Sequence, residues 1–167
     1  MAIELIVLDV DGCLTDGRII YTAEGDEVKA FDVKDGLAIA SWIRLGRQAA
    51  IITGRRSKIV ERRAKELGIV HLYQGVREKG EKLDELLEEL ELENHQVAVI
   101  GDDLNDYAMM ERAGRAYAPA DAVELIRERS DWVLEARGGR GAVREMIEDL
   151  IEVEGLREEF LALWSVG

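Results

Sequence analysis

Three short runs of apolar residues in this chain end abruptly in polar turns. The runs are Leu5–Leu8, 49–52 and Val97–Ile100, and no polar residue interrupts any of them. A run without alternation is typical of a strand that is buried on both faces, as in a parallel sheet. Segments with apolar residues at helical spacing separate the runs. We therefore predict an α/β fold: a Rossmann-like three-layer α/β/α sandwich with a mainly parallel sheet.

Further elements follow from the same patterns. We predict helices over 35–46, 57–67, 82–92 and 121–127 and around 109–110 and 143–150, and strands over 71–73, 115–118 and 132–134. The clearest helix is 82–92, whose leucines fall on one face. Asp121 and Glu124 have the spacing of a capping box, which predicts the start of the helix that follows.

Two segments add to this alternation of strands and helices. Residues 17–34 contain apolar stretches at 19–21 and 28–31 around a turn-rich centre, which predicts a β-hairpin insertion after the first strand. Residues 155–167 carry several large apolar side chains, so we expect this tail to dock on its own or another subunit. We expect residues 1–167 to form a single domain.

Composition narrows the classes of partner. With 47% hydrophobic residues the 167-residue chain can bury a substantial core, and its net charge of −13 disfavours nucleic acid and anionic membrane surfaces as partners. Cys13 is the single cysteine, so no internal disulfide forms. The sequence has no signal-peptide pattern or apolar stretch of membrane length, and we expect a cytoplasmic protein.

Polar residues follow each of the three apolar runs. Asp9 and Asp11 come after the first run, Thr53 and Gly54 after the second, and Asp102 with Asp103 after the third. Any one of these turns most often caps the next helix. In a parallel sheet, however, all three share the carboxyl edge, where open α/β sheets place their chemistry. The first two acids alone would bind a hard cation or divide nucleophile and proton-transfer roles.

Together with Lys79, this set has the parts that phosphoryl transfer through a carboxylate needs. Asp9 would attack phosphorus, while Asp11 would protonate the leaving alcohol and later activate water. Mg²⁺ fits an oxygen-only set in which Asp9, Asp102 and a backbone carbonyl are ligands.

The chain resembles the haloacid dehalogenase superfamily of phosphatases over nearly its whole length. The residues that match the four motifs of that superfamily are 9–15, 53–55, Lys79 and 101–106. The resemblance implies Asp9 as nucleophile, Asp11 as acid/base whose carbonyl also binds Mg²⁺, Thr53 and Lys79 as phosphate ligands, and Asp102 as metal ligand. Asp103 and Asp106 would support these groups, with Asp106 either orienting them or capping the helix that follows, and Thr15 would help hold the turn after Asp11.

Within that superfamily the chain resembles the cap-less branch typified by 3-deoxy-D-manno-octulosonate 8-phosphate phosphatases. The hairpin, the segment 31–36, the residues 73–75 and the segment 138–145 carry this likeness. It implies a sugar-acid phosphate as substrate and a homotetramer in which a neighbouring subunit helps close each site. The substrate-binding candidates are Lys34, Asp35, Gly54, Arg55, Arg63, Lys79 and Arg140. The alternative for Lys34, Arg55, Arg63 and Arg140 is a solvated base on the surface, which is an equally good interpretation of Lys34 and Arg63.

Two other functions stay open at this point. The related enzymes of nonulosonate 9-phosphates are one, although Arg55, Glu66 and Arg140 stand where the deaminoneuraminate 9-phosphate type carries other residues, which favours the octulosonate. The other is a catalytically idle oligomerisation module, against which the intact Asp9, Asp11, Lys79 and Asp102 argue.

Overall fold

A parallel sheet forms the centre of the molecule in the computed structural model, which describes residues 2–167. The strands are β1 (Leu5–Leu8), β2 (Ile20–Tyr21), β3 (Glu27–Val28), β4 (Gln48–Ile52), β5 (His71–Tyr73), β6 (Val97–Ile100), β7 (Arg115–Ala118) and β8 (Trp132–Val133). Six of them form one sheet in the order β5-β4-β1-β6-β7-β8, and every neighbouring pair is parallel. Strands β2 and β3 pair separately as an antiparallel hairpin. The predicted fold is therefore confirmed.

Helices cover both faces of this sheet. They are α1 (Val33–Arg44), α2 (Lys58–Leu67), α3 (Lys79–Glu89), α4 (Tyr107–Arg112), α5 (Glu124–Arg129), α6 (Ala142–Val153) and α7 (Arg157–Ala162). Two apolar clusters result, one between the sheet and α1, α2 and α6, the other between the sheet and α3, α4 and α5. Among residues 2–167, no helix combines the length and the apolarity that a membrane crossing requires.

The central strand β1 explains why its sequence does not alternate. Ile6 and Leu8 pack into one apolar cluster, while Leu5 and Val7 pack into the other. All four side chains are fully buried, and each contributes about 1.5–3 kcal/mol relative to an exposed position. Burial on both faces thus fixes β1 between β4 and β6 and delivers the polar turn after it to the carboxyl edge of the sheet.

Several helix boundaries differ from the predicted ones. Helix α1 begins at Val33 rather than at 35 because the Asp32 carboxylate accepts the Lys34 N–H at 2.7 Å and caps it. Helix α3 begins at Lys79, one turn before the predicted start at 82. This earlier start places the lysine in the first turn of a helix that packs against the sheet.

The predicted capping box at Asp121 is wrong. Helix α5 begins at Glu124 with Val123 as its N-cap residue, and no side chain caps it. The Asp121 carboxylate instead accepts the Gly138 N–H at 3.0 Å, so it holds a distant loop. A spacing that suits a local cap also suits this tertiary contact.

The hairpin is shorter than the sequence predicted. Only Ile20 with Val28 and Tyr21 with Glu27 pair across it, so the predicted second strand over 28–31 ends at Val28. In the tail, Phe160 is buried in the core, and the Trp164 indole N–H donates to Ser41 Oγ at 3.0 Å. These contacts lie within one subunit.

Asp35 lies at the junction of α1 and α6. It is only 1% exposed, its Oδ1 accepts the Arg144 N–H at 2.9 Å, and its Oδ2 has no hydrogen-bond partner among residues 2–167. Burial raises the pKa of Asp35 to about 6. The folded protein therefore binds this proton more tightly than the unfolded chain does.

We expect Asp35→Asn to be more stable than the wild type at neutral pH but not in acid. A raised pKa contributes stability that is present below the unfolded pKa of 3.8 and is lost as pH rises through about 6. Between pH 4 and 7.5 the difference in unfolding free energy between variant and wild type grows by about 2 kcal/mol. Urea unfolding followed by circular dichroism measures it. Asp26→Asn, in the exposed hairpin turn, is the control, and a difference independent of pH would contradict the prediction.

Candidate active site

The polar turns after β1, β4 and β6 meet in one cleft at the carboxyl edge of the sheet. The cleft has a volume of about 230 Å³ and is lined by Asp9, Asp11, Gly17, Thr53, Gly54, Arg55, Asp102, Asp103 and Asn105. A larger groove of about 470 Å³ lies beside α6 and α7 and contains none of these residues. Topology therefore brings together the strand-end residues that the sequence predicted.

Lys79 is a buried ammonium between two carboxylates. Its Nζ lies 2.9 Å from Asp9 Oδ1 and 2.6 Å from Asp106 Oδ1, and its side chain is 1% exposed. Burial alone would lower the pKa of Lys79, but the charges of Asp9 and Asp106 outweigh it and raise that pKa. Lys79 is therefore a fixed positive charge at neutral pH.

Asp106 holds the loop after β6 as well as the lysine. Its Oδ2 accepts the Asp102 N–H at 2.8 Å and the Asp103 N–H at 3.3 Å, while its Oδ1 accepts Lys79. Asp106 itself is fully buried. One carboxylate thus orients both the neutralising lysine and the backbone that carries Asp102.

Asp9 and Asp102 face each other without enough positive charge. Carboxylate oxygens of the two, together with Cys13 Sγ, lie within 4.8 Å of one another. Among residues 2–167, no lysine or arginine forms an ion pair with Asp102. Burial and then the charge of Asp106 raise the pKa of Asp9, and burial and then the charge of Asp9 raise the pKa of Asp102. The two carboxylates, rather than the thiol, suit a hard divalent cation, which prefers oxygen ligands.

Gly12 makes room for the Asp102 carboxylate. A Cβ at this position would lie 1.8 Å from Asp102 Oδ2, and the backbone has φ of +96°. Glycine alone tolerates both conditions. The Thr15 hydroxyl braces the same turn, since it accepts the Gly17 N–H at 3.1 Å and lies 3.4 Å from both Gly12 N and Val10 O.

The glycine-rich segment 138–141 packs directly on this turn. The Gly139 N–H donates to the Cys13 carbonyl at 2.9 Å, and a Cβ on Gly138 would lie 1.8 Å from the Gly12 carbonyl oxygen. The backbone of the turn is thus held from a segment near the other end of the chain.

The hairpin contributes charges to the cleft that the sequence did not predict. Lys29 Nζ lies 2.6 Å from Asp11 Oδ1 and 2.7 Å from Glu27 Oε1, and the Lys29 side chain is 1% exposed. Arg55 completes the group, 3.4 Å from Glu27 and 4.0 Å from Asp11. Burial lowers the pKa of Lys29, but its hydrogen bond with Asp11 and the adjacent charge of Glu27 outweigh it and leave that pKa raised. From the sequence, the segment 28–31 that contains Lys29 was predicted only as a strand of the hairpin.

The remaining residues that were predicted to bind substrate lie outside the cleft that contains Asp9. Arg140 lines a neighbouring cavity of about 150 Å³ between the base of the hairpin and the glycine-rich segment. The Lys34 side chain is exposed, and the Arg63 guanidinium lies over the Phe31 ring at 5.6 Å, both outside the two cavities. Burial leaves neither oxygen of Asp35 accessible, so its predicted substrate contact gives way to a packing role.

The chain is similar in sequence to known proteins over most of its length. A sequence profile of haloacid dehalogenase-like hydrolases matches residues 68–147. The 3-deoxy-D-manno-octulosonate 8-phosphate phosphatase of Salmonella typhi is 46% identical over 157 residues, which cover 94% of this chain and 84% of that protein.

Solved structures agree with the sequence comparison. The phosphatase of that name from Moraxella catarrhalis, crystallised with magnesium, phosphate and KDO, is 43% identical, with a TM-score of 0.94 over 98% of this chain and 94% of its own. The one from Yersinia pestis is 44% identical, with a TM-score of 0.90 over 92% and 83%. This chain therefore belongs to the 3-deoxy-D-manno-octulosonate 8-phosphate phosphatase family of haloacid dehalogenase-like hydrolases.

Proposed function

We propose that this protein hydrolyses 3-deoxy-D-manno-octulosonate 8-phosphate to the sugar acid and phosphate, a step in lipopolysaccharide precursor synthesis. The observation that carries the proposal is the buried contact of Lys79 with Asp9, beside an Asp102 that has no cationic partner among residues 2–167. The names of the relatives and the complex of the Moraxella protein support the same substrate.

In the first half-reaction, a carboxylate oxygen of Asp9 forms a bond to phosphorus. The bond between phosphorus and the sugar oxygen breaks, and Asp11 gives its proton to that leaving oxygen. Lys79 stabilises the negative charge of the transferring group from a position that burial keeps free of competing water. An aspartyl-phosphate is left on Asp9.

In the second half-reaction, Asp11 takes a proton from water as that water attacks phosphorus. The bond between phosphorus and Asp9 breaks, which restores the Asp9 carboxylate and releases inorganic phosphate. One residue thus serves as acid and then as base, and both proton transfers depend on where its carboxylate is held.

Asp9 and Asp102, with a backbone carbonyl of the turn after β1, are the groups that would hold Mg²⁺. When bound, the cation would supply positive charge beside the phosphoryl group. Thr53, Gly54 and Lys79 bind the phosphoryl group. Arg55 in the cleft and Arg140 in the adjoining cavity bind the sugar acid, and Lys34 and Arg63 stand further out as candidates.

We further propose that the chain forms one domain that assembles as a homotetramer in the cytoplasm. The hairpin 17–34 exposes Ile20, Tyr21 and Val28, a set of apolar side chains suited to a subunit interface that helps close a neighbouring site. The tail 155–167 packs on the domain. A single free and buried cysteine, Cys13, suits a reducing compartment.

We expect phosphate release to be fastest with 3-deoxy-D-manno-octulosonate 8-phosphate when Mg²⁺ is present. Asp9→Asn removes the nucleophile and lowers turnover by about 10³-fold or more, with an unchanged fold by circular dichroism. Asp26→Asn is the isosteric control. Nonulosonate 9-phosphates and simple sugar phosphates complete the panel. Absence of turnover on every substrate would contradict the proposed phosphatase activity and favour the catalytically idle oligomerisation module. Faster turnover of a nonulosonate 9-phosphate would show that the proposed substrate is wrong.

We expect Mg²⁺ to raise the melting temperature more at pH 8 than at pH 5. The raised pKa values of Asp9 and Asp102 mean that protons compete with the cation in acid, and that the metal-free protein loses stability as pH rises. At 100 times its Kd the cation stabilises by about 2.7 kcal/mol, or roughly 5–10 °C for a chain of this size. Thermal scans with Mg²⁺ or chelator measure this shift. Asp102→Asn loses most of the shift, and an equal shift at both pH values would refute the assignment.

A further inference from the structure

The hairpin carries an inverted pattern of burial. Ile20, Tyr21 and Val28 are exposed, whereas the Lys29 side chain, on the next residue after β3, is buried. Burying an ammonium is costly unless strong partners are present, and lysine is among the residues least often buried. The burial of Lys29 therefore requires acidic or other polar partners close to its ammonium group.

Lys29 has two partners, and one of them is the proposed acid/base. The distance to Asp11 is 2.6 Å and that to Glu27 is 2.7 Å. Among residues 2–167, Lys29 donates the only hydrogen bond that the Asp11 carboxylate accepts, because Arg55 stays at 4.0 Å. Without Lys29, the one charged partner left to the Asp11 carboxylate among residues 2–167 would be Arg55, at 4.0 Å.

We propose that Lys29 is a positioning residue, which holds the Asp11 carboxylate where it exchanges a proton with the leaving oxygen of the substrate. Glu27 forms an ion pair with the same ammonium at 2.7 Å, and Arg55 lies 3.4 Å from Glu27. Each acid of the group thus has two basic neighbours, and each base has two acidic ones. The inference rests on the proposed function. It adds that the hairpin supplies a group on which the chemical step depends.

The leaving group of the substrate provides a readout that a purely structural role would not move. A sugar alkoxide needs a proton as it departs, whereas p-nitrophenolate departs without one. The value of kcat/KM reports the steps up to and including phosphoryl transfer to Asp9. For these steps, the sugar phosphate needs a well-placed Asp11 as proton donor, whereas p-nitrophenyl phosphate does not. Misplacing a proton donor costs about 10- to 100-fold.

We expect Lys29→Met to lower kcat/KM for 3-deoxy-D-manno-octulosonate 8-phosphate by about 10- to 100-fold. The loss with p-nitrophenyl phosphate is smaller, so the ratio of the two values falls by about tenfold. Lys65→Met, an exposed lysine of α2, leaves the ratio as in the wild type. Lys29→Gln is a second variant with a polar head, should the methionine variant not fold, and thermal melting checks both.

The double variant tests whether Lys29 acts through Asp11. Asp11→Asn lowers the ratio by itself, and adding Lys29→Met lowers it no further. The inference about Lys29 would be wrong if the ratio were unchanged in the Lys29 variants. It would also be wrong if Lys29→Met lowered the ratio as much in the Asp11→Asn variant as in the wild type. Either result would leave the proposed function standing. If the wild type released no phosphate from the octulosonate 8-phosphate, the proposed function would fail and this inference with it.

Discussion

The confinement of negative charge at the carboxyl edge of the sheet governs the organisation of this protein. Asp9 and Asp106 are buried and Asp102 is half-buried, and among residues 2–167 Lys79 is the one cation that forms ion pairs with any of the three. Burial and then repulsion among these acids raise the pKa values of Asp9 and Asp102. When all three acids are ionised, the group keeps a net charge of about −2, which one divalent cation would neutralise. The strong burial of β1, β4 and β6 is what keeps these groups in place against their repulsion.

The sheet followed closely from the sequence, and the helix ends did not. Strands β1, β5, β6 and β7 have the predicted bounds because burial on both faces leaves a continuous apolar run. Helix starts depend on which side chain caps the free N–H groups. Asp32 caps α1, whereas Asp121, with an equally suitable spacing, turns to Gly138 instead. The spacing of polar residues does not distinguish a local partner from a distant one.

The same distinction applies to the site. Asp9, Thr53 and Asp102 were predictable together because a parallel sheet brings the ends of its strands to one edge. The place of Lys29 in the cleft could not be predicted, because the residues around it have the pattern of a strand. In the structure the strand ends at Val28, and the Lys29 side chain reaches Asp11. Asp35 was misplaced for the opposite reason: its motif resembles a ligand segment, but its carboxylate holds the start of α6. Residues carried by loops and insertions depend on tertiary geometry that periodicity does not contain.

The contact between the glycine-rich segment and the turn after β1 has a consequence for how the protein folds. The Gly139 N–H and the Cys13 carbonyl that it meets lie far apart along the chain. Contacts between such distant parts of a chain form late in folding. A chain that has formed only its central strands therefore carries the carboxylates of the cleft without the packed turn that aims them, and the cleft takes its final shape in a late step of folding.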